Sequence, residues 1–344
     1  MAQSRILRVG FCDMWVDFDP AYNFFTLMLA SAGAKLSPPI QVIGGVADEN
    51  DTIVIFGPFG KTWKALPVEQ PKIHFTGENN GPKTGRGVQL NLGFKHVNAA
   101  NVSYLRFPLW LLYIDWFGAD LDRILNPKPI PLERCTRVDE NELARKIKFC
   151  AFVVSNPKNP LRNKAFHWLS KYKQVDSAGT VFNNIGSEIF AGSGGAGGEL
   201  KKLEYLKDYK FCLAYENTAS HGYTTEKYLH AKAAGCVPIY WGDPAFELDF
   251  NVDGCIDARG FKSPSELIGA VRRIDENDEE WLKRFKVPAL DTDQVAWSRR
   301  TIAECARRLF NLAGFDISTV LATPGLRGPD NVLAPMVEEC PHFD

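Results

Sequence analysis

This sequence has no surplus of either charge: forty lysines and arginines face forty-one aspartates and glutamates, for a net charge of −1. Proteins that grip nucleic acid carry a broad basic field, so that class is excluded and any anion recognition must be local. No stretch reaches the roughly 18 apolar residues that a membrane-spanning helix needs. The N-terminus, Met1-Ala2-Gln3-Ser4-Arg5, leads straight into a strand, so no signal peptide and no transmembrane anchor are expected. The eight cysteines include no Cys-x-x-Cys pair and no histidine partner at metal spacing. Several, such as Cys150 and Cys212, lie inside apolar runs and read as small buried hydrophobes, a pattern that suits a reducing compartment better than a disulfide framework.

What is present is an ordinary globular composition, 45% apolar and 24% charged over 344 residues. Length alone predicts about two domains. Ile6–Cys12, Ile40–Val46, Thr52–Phe56 and Lys72–Thr76 have the short apolar character of buried strands. Tyr22–Ala32 has helical spacing and stops at Gly33. Strands alternating with short helices make the first half an α/β domain, residues 1–140. Leu105–Phe117 is strongly apolar, either a buried helix or an interface element, and Pro127–Asn141 turns proline-rich and charged like a linker. The second domain, 141–314, opens with the strand Phe149–Val154 and a loop Asn156–Asn163, followed by a helix Lys164–Lys173. It closes with a solvated helical face at Asp275–Arg284 and a long amphipathic helix, Trp297–Leu312. An irregular tail, 315–344, carries prolines and glycines. The glycine cluster Gly192–Gly198 fits neither the phosphate-loop nor the dinucleotide fingerprint and reads as a surface loop.

The most informative stretch is Phe211–Gly242. Phe211–Tyr215 reads as a buried strand, Glu216–Tyr223 as a polar loop, and Thr224-Thr225-Glu226 as the start of a helix with a threonine N-cap. That helix ends at Gly235 and a second strand, Val237–Tyr240, completes a strand–helix–strand crossover. Ligands of open α/β sheets bind outside the carboxyl ends of such strands. Lys227 sits in the first helical turn, where a cation opposes the helix dipole. An anion docked on the free N–H groups would explain it, as would a solvated lysine paired with Glu226 or with nothing.

The string Glu216-Asn217 … Gly222-Tyr223-Thr224-Thr225-Glu226-Lys227 … Val237-Pro238-Ile239-Tyr240-Trp241-Gly242 resembles the signature of the α1,3-fucosyltransferases, family 10 of the glycosyltransferases. Phe75-Thr76-Gly77-Glu78-Asn79 is similar to the family's catalytic-carboxylate motif, and Leu105-Arg106-Phe107-Pro108-Leu109 to the segment after it. Val154-Ser155-Asn156-Pro157 … Pro160-Leu161-Arg162-Asn163 and Lys173–Gly179 are similar to its donor-domain run. The resemblance implies a GT-B architecture, two Rossmann-like α/β domains facing each other across a cleft, with the acceptor side in 1–140 and donor binding in 141–314.

It further implies inverting transfer of L-fucose from GDP-β-L-fucose to O3 of N-acetylglucosamine in N-acetyllactosamine-type glycans. Glu78 is then the catalytic base, and Arg162, Asn217, Tyr223, Glu226 and Lys227 bind the donor. Read without the resemblance, a glutamate in a glycine loop is more often simply solvated. Another nucleotide-sugar donor, an α1,4 or α1,2 linkage, or a non-catalytic glycan-binding module are the rival readings. A bacterial-type member making Lewis-antigen-like lipopolysaccharide is expected, cytoplasmic or peripheral at the inner membrane, with homodimerisation open. Three Asp-x-Asp strings, at 17–19, 120–122 and 291–293, follow no evident nucleotide-binding strand. No tightly bound metal is therefore expected, although stimulation by Mn²⁺ or Mg²⁺ stays open. Pro82–Val102 is only weakly similar to the family and is expected to bear on the acceptor.

Overall fold

Short apolar runs, most of them largely buried, form two separate parallel sheets in this computed structural model, which describes residues 5–96, 101, 103–123, 125–186 and 198–317. The first sheet takes β1 (Arg5–Cys12), β2 (Ile40–Val46), β3 (Ile53–Phe56), β4 (Lys72–Phe75), β5 (Val88–Gly93) and β6 (Tyr104–Arg106) in the order β2-β1-β3-β4-β5-β6. A small parallel pair follows, β7 (Ile114–Asp115) with β8 (Ile130–Pro131). The second sheet takes β9 (Lys148–Phe152), β10 (Val175–Ser177), β11 (Tyr209–Tyr215), β12 (Val237–Trp241) and β13 (Ile256–Asp257) in the order β10-β9-β11-β12-β13. The helices are α1 (Phe24–Gly33), α2 (Leu132–Thr136), α3 (Pro160–Ser170), α4 (Gly198–Leu206), α5 (Glu226–Ala233), α6 (Pro264–Asp275), α7 (Asp278–Phe285) and α8 (Thr292–Leu312). This is the α/β, GT-B arrangement, with a cleft between the sheets.

Capping moves several boundaries from their expected places. Asn23, not Tyr22, opens α1, because its side chain accepts from the N–H groups of Phe25 and Thr26 while Thr26 answers in a capping box. In α3, Asn159 accepts from Arg162 N and Pro160 occupies the first turn, so Arg162 belongs to a helix rather than to a loop. Asp291 and Gln294 form a capping box that starts α8 at Thr292. That accounts for the third Asp-x-Asp string; in the other two, Asp19 and Asp120 likewise accept from nearby backbone N–H groups. Asp275–Arg284 is not one solvated face. Asn277 caps a new helix there, Asp275 is buried between Lys173 and Lys210, and Trp281 and Phe285 are buried.

The expected linker is anchored by structure of its own: Cys135 in α2 is buried, and its carbonyl accepts from Leu290 N at 2.9 Å. Leu105–Phe117 is not a helix of any length but β6, a single 3₁₀ turn at Leu109–Tyr113, and β7. Its place is the interface. Trp110, fully buried, packs on Phe250 at 4.9 Å and Trp297 at 6.1 Å, so one apolar core runs through both halves. Beside it Arg106 forks Asp249 at 2.9 and 2.8 Å, with Asp249 wholly buried. The last helix returns to the first half: Leu309 and Phe310 of α8 share a core cluster with Phe25 and Met28 of α1.

The seven described cysteines are buried and unpaired. Among the described residues no helix is long and apolar enough to cross a membrane. Residues 187–197, which hold most of the glycine cluster, and 318–344, most of the expected tail, lie outside the described residues.

Candidate active site

Glu216 follows directly on β11 and is fully buried, an expensive position for a carboxylate unless every lone pair is used. Its Oε1 accepts from Thr225 N at 2.8 Å, and its Oε2 accepts from Thr225 Oγ1 at 2.6 Å and Lys227 Nζ at 2.9 Å. Gly242, at the end of β12, leaves the space: a Cβ there would stand 2.5 Å from the Glu216 Cγ. Thr225 occupies the N-cap position of α5 without making a side-chain cap, a departure from expectation, because its hydroxyl is committed to Glu216. Lys227 is therefore neither free nor solvated. Burial opposes its charge, but Glu216 and Glu226, the latter 3.7 Å away, raise its pKa above the ordinary lysine value.

Arg162, 1% exposed, comes to the same strand end from α3. Its Nη1 donates to Asn217 Oδ1 at 2.7 Å and to Tyr215 O at 3.4 Å, and its Nη2 donates to Asn156 O. Only Nε has no partner. Burial lowers the Arg162 pKa, with Glu216 opposing. Asn159 ties the pieces together, since it caps α3 and also donates to Glu216 O at 2.8 Å.

Glu78 stands on the other wall, on the loop after β4. Thr76 fixes that loop, its hydroxyl donating to Glu78 O at 3.1 Å and accepting from Glu78 N at 3.2 Å. Gly77 lets it run close to the 3₁₀ turn, as a Cβ would meet Leu109 at 2.7 Å. The residue remains exposed, and among the described residues its carboxylate has no hydrogen bond or ion pair. Surrounding protein still raises its pKa by desolvation, against the pull of Lys227 and with help from Glu226 and Glu216. Next to it, Asn79 Nδ2 reaches across to Thr218 Oγ1 at 3.2 Å.

A cleft of about 650 Å³ brings Glu78, Arg162, Asn217, Glu226 and Lys227 together. Tyr223 is not among the residues lining it. It is 2% exposed, with its ring edge-on to Phe94 at 5.1 Å, and so serves packing in this arrangement. Among its described residues, the expected acceptor stretch, 82–102, contributes no lining residue either; Trp15, Val16 and Phe59 do. Sequence reasoning missed Tyr113, Glu199, Lys202 and His230, all of which line the cleft. Lys202 lies 3.9 Å from Glu226. Burial works against the Glu226 carboxylate, but Lys227 and Lys202 hold its pKa below the usual carboxylate range. Glu199 and Lys202 sit on α4, whose Leu203 and Leu206 spacing was legible but overshadowed by the glycines before it. Among the described residues no group of three or more His, Cys, Asp or Glu side chains is placed to hold a metal ion.

Such a cleft sets the unpaired Glu78 carboxylate against a wall of paired cations, an arrangement suited to deprotonating a nucleophile while an anion leaves. Residues 143–305 match the family described as glycosyltransferase family 10 (fucosyltransferase) C-term. Residues 9–113 match the α-(1,3)-fucosyltransferase FucT N-terminal domain. The α-(1,3)-fucosyltransferase FucT of Helicobacter pylori is 28% identical over 264 residues, 71% of this chain but 53% of that protein, so the chain spans about half the length of this relative. The 4-galactosyl-N-acetylglucosaminide 3-α-L-fucosyltransferase 9 of Mus musculus is 30% identical over 42% of this chain and 38% of its own. A crystal structure of an α1,3-fucosyltransferase superposes with a TM-score of 0.64 at 23% identity, covering 91% of both chains. Another, with GDP-fucose, gives 0.59 at 22% identity over 92% of this chain and 93% of that one. At those identities the likeness establishes a shared fold.

Proposed function

The chain belongs to glycosyltransferase family 10, and from that membership we propose that it is an inverting α1,3-fucosyltransferase acting from GDP-β-L-fucose on O3 of N-acetylglucosamine in N-acetyllactosamine-type glycans. The observation that carries this is the sharing of one cleft by Glu78 and Lys227, which come from different halves of the molecule. In the proposed reaction the Glu78 carboxylate takes the proton of the acceptor hydroxyl. The acceptor oxygen bonds to C1 of fucose as the bond from C1 to the diphosphate oxygen breaks, and GDP leaves with that electron pair. A carboxylate with a raised pKa is the stronger base and is better matched to neutral pH.

Lys227 and Arg162 stabilise the departing diphosphate, Lys227 from the first turn of α5, the positive end of the helix dipole. For Arg162 to fork two phosphate oxygens it must trade internal acceptors for ligand oxygens, which makes Asn217 its companion in the donor site. Glu226 accepts from donor hydroxyls. Tyr223 supports the donor loop through its packing on Phe94 rather than by direct contact. In this reading cationic side chains neutralise the diphosphate, and Mn²⁺ or Mg²⁺ at most stimulates.

Measuring GDP release from GDP-fucose against lactose, type 1 and type 2 acceptors tests the proposal. Acceptor-dependent release with type 2 chains, and an α-configured product by NMR, is the expected result. Turnover with a different nucleotide-sugar, or product of retained configuration, overturns it.

A further inference from the structure

Four titratable residues of the cleft have no part in that reading: Tyr113, Glu199, Lys202 and His230. Glu199 is 7% exposed and accepts from the Lys128 N–H at 2.5 Å. The Tyr113 hydroxyl is close enough to the same carboxyl for the two to shift each other's pKa. His230 lies one turn beyond Glu226 on α5, with its ring edge-on to Tyr113 at 5.2 Å. It is 1% exposed, and neither ring nitrogen has a hydrogen-bond partner. Burial pushes its pKa down to about 3, so the ring is neutral.

Unmatched buried polar atoms are rare because each costs about 1–3 kcal/mol. A neutral imidazole presents one donor and one acceptor, and a carboxyl group presents acceptors together with one donor when protonated. Together they complement hydroxyl groups, each of which can donate and accept. Position narrows the choice of ligand. Tyr113 ends the 3₁₀ turn whose Leu109 packs on Gly77 beside Glu78, and its ring meets His230 on α5, so this group stands between the proposed base and α5. In a transfer from a nucleoside diphosphate sugar, the group between base and diphosphate is the sugar itself.

We propose that Tyr113, Glu199 and His230 form the subsite that reads the ring hydroxyls of the transferred hexose, and that Glu199 and His230 decide which sugar is accepted. The proposal rests on the nucleotide-sugar reading above. A site built to hydrogen-bond a hydroxyl rejects analogues that present it wrongly, because its own polar atoms are then left unpaired.

Calorimetric titration of GDP, GDP-β-L-fucose and GDP-α-D-mannose into the wild type, Glu199→Gln, His230→Phe and His230→Asn tests it. Wild type is expected to favour GDP-fucose over GDP-mannose. Glu199→Gln and His230→Phe are expected to weaken GDP-fucose by about tenfold or more and to narrow the gap between the two sugars. GDP itself should change by less than about twofold, which also reports an intact fold. His230→Asn, which keeps a donor and an acceptor, should retain more of the preference than His230→Phe. If Glu199→Gln fails to fold, the two His230 variants decide the matter. Equal weakening of GDP and GDP-fucose assigns the group to the nucleotide and overturns the proposal, as does unchanged affinity for all three ligands. A wild type that binds neither GDP nor GDP-fucose removes the underlying reading and the subsite with it, an outcome distinct from a binding wild type with insensitive variants.

Discussion

The two walls of the cleft are built on opposite plans. On the second-sheet side, Glu216, Thr225, Lys227, Arg162 and Asn217 are already bonded to one another or to backbone. On the first-sheet side, Glu78 is held through its backbone, and among the described residues its carboxylate has no partner. A wall that receives an anion gains from fixed geometry, because preorganised charges need no rearrangement when negative charge builds up. A base needs a free lone pair instead. The difference teaches where each substitution should be felt: chemistry on one wall, binding and folding on the other.

The sharpest test is Glu78→Gln, which should lower turnover by about 10²–10⁴-fold, the usual contribution of a positioned general base. GDP affinity by calorimetry should stay unchanged, and a parallel fall in both would erase the contrast between the walls. On the other side, Glu216→Ala strips a buried ion pair and strands Lys227 and the Thr225 N–H. Breaking such a pair costs about 3–5 kcal/mol, so a large drop in the urea midpoint is expected.

Glu199 supplies a pH test. Its pKa rises from an ordinary value near 4.5 to about 7, chiefly by desolvation. A raised acid pKa means that the folded state holds the proton more tightly. Its stabilising contribution is present below pH 4.5 and is lost as pH climbs to about 7, a change on the order of 3 kcal/mol. Thermal unfolding of the free protein should show this decline, and Glu199→Gln should flatten it. The smallest effect is expected from Lys227→Ala, which should weaken GDP about 10–100-fold. Unaltered GDP binding in that variant would mean that the first turn of α5 is not where the diphosphate docks.

Much of the sheet framework could be read directly from apolar runs, as with β2 and β12. Val88–Gly93 is harder to read: its alternating Val88, Leu90 and Leu92 follow a polar, glycine-bearing loop that masks the pattern. Lys227 was recognised as misplaced for a helix, but its partner was not, because Glu216 looked like one more residue of a polar loop. Only the return of the loop onto β12 buries that carboxylate. Tyr113, Glu199 and His230 escaped for a related reason. They come from three distant segments, and a histidine on an alanine-rich helix or a glutamate after glycines carries no local mark of burial.

The path of α8 has a practical consequence for anyone exchanging parts between relatives. The last described helix lies against α1, so an element late in the described chain completes the core of the first half. A graft cut after residue 314 would import a foreign helix against a native partner. A seam just ahead of Asp291, where the capping box begins, would leave that pairing intact.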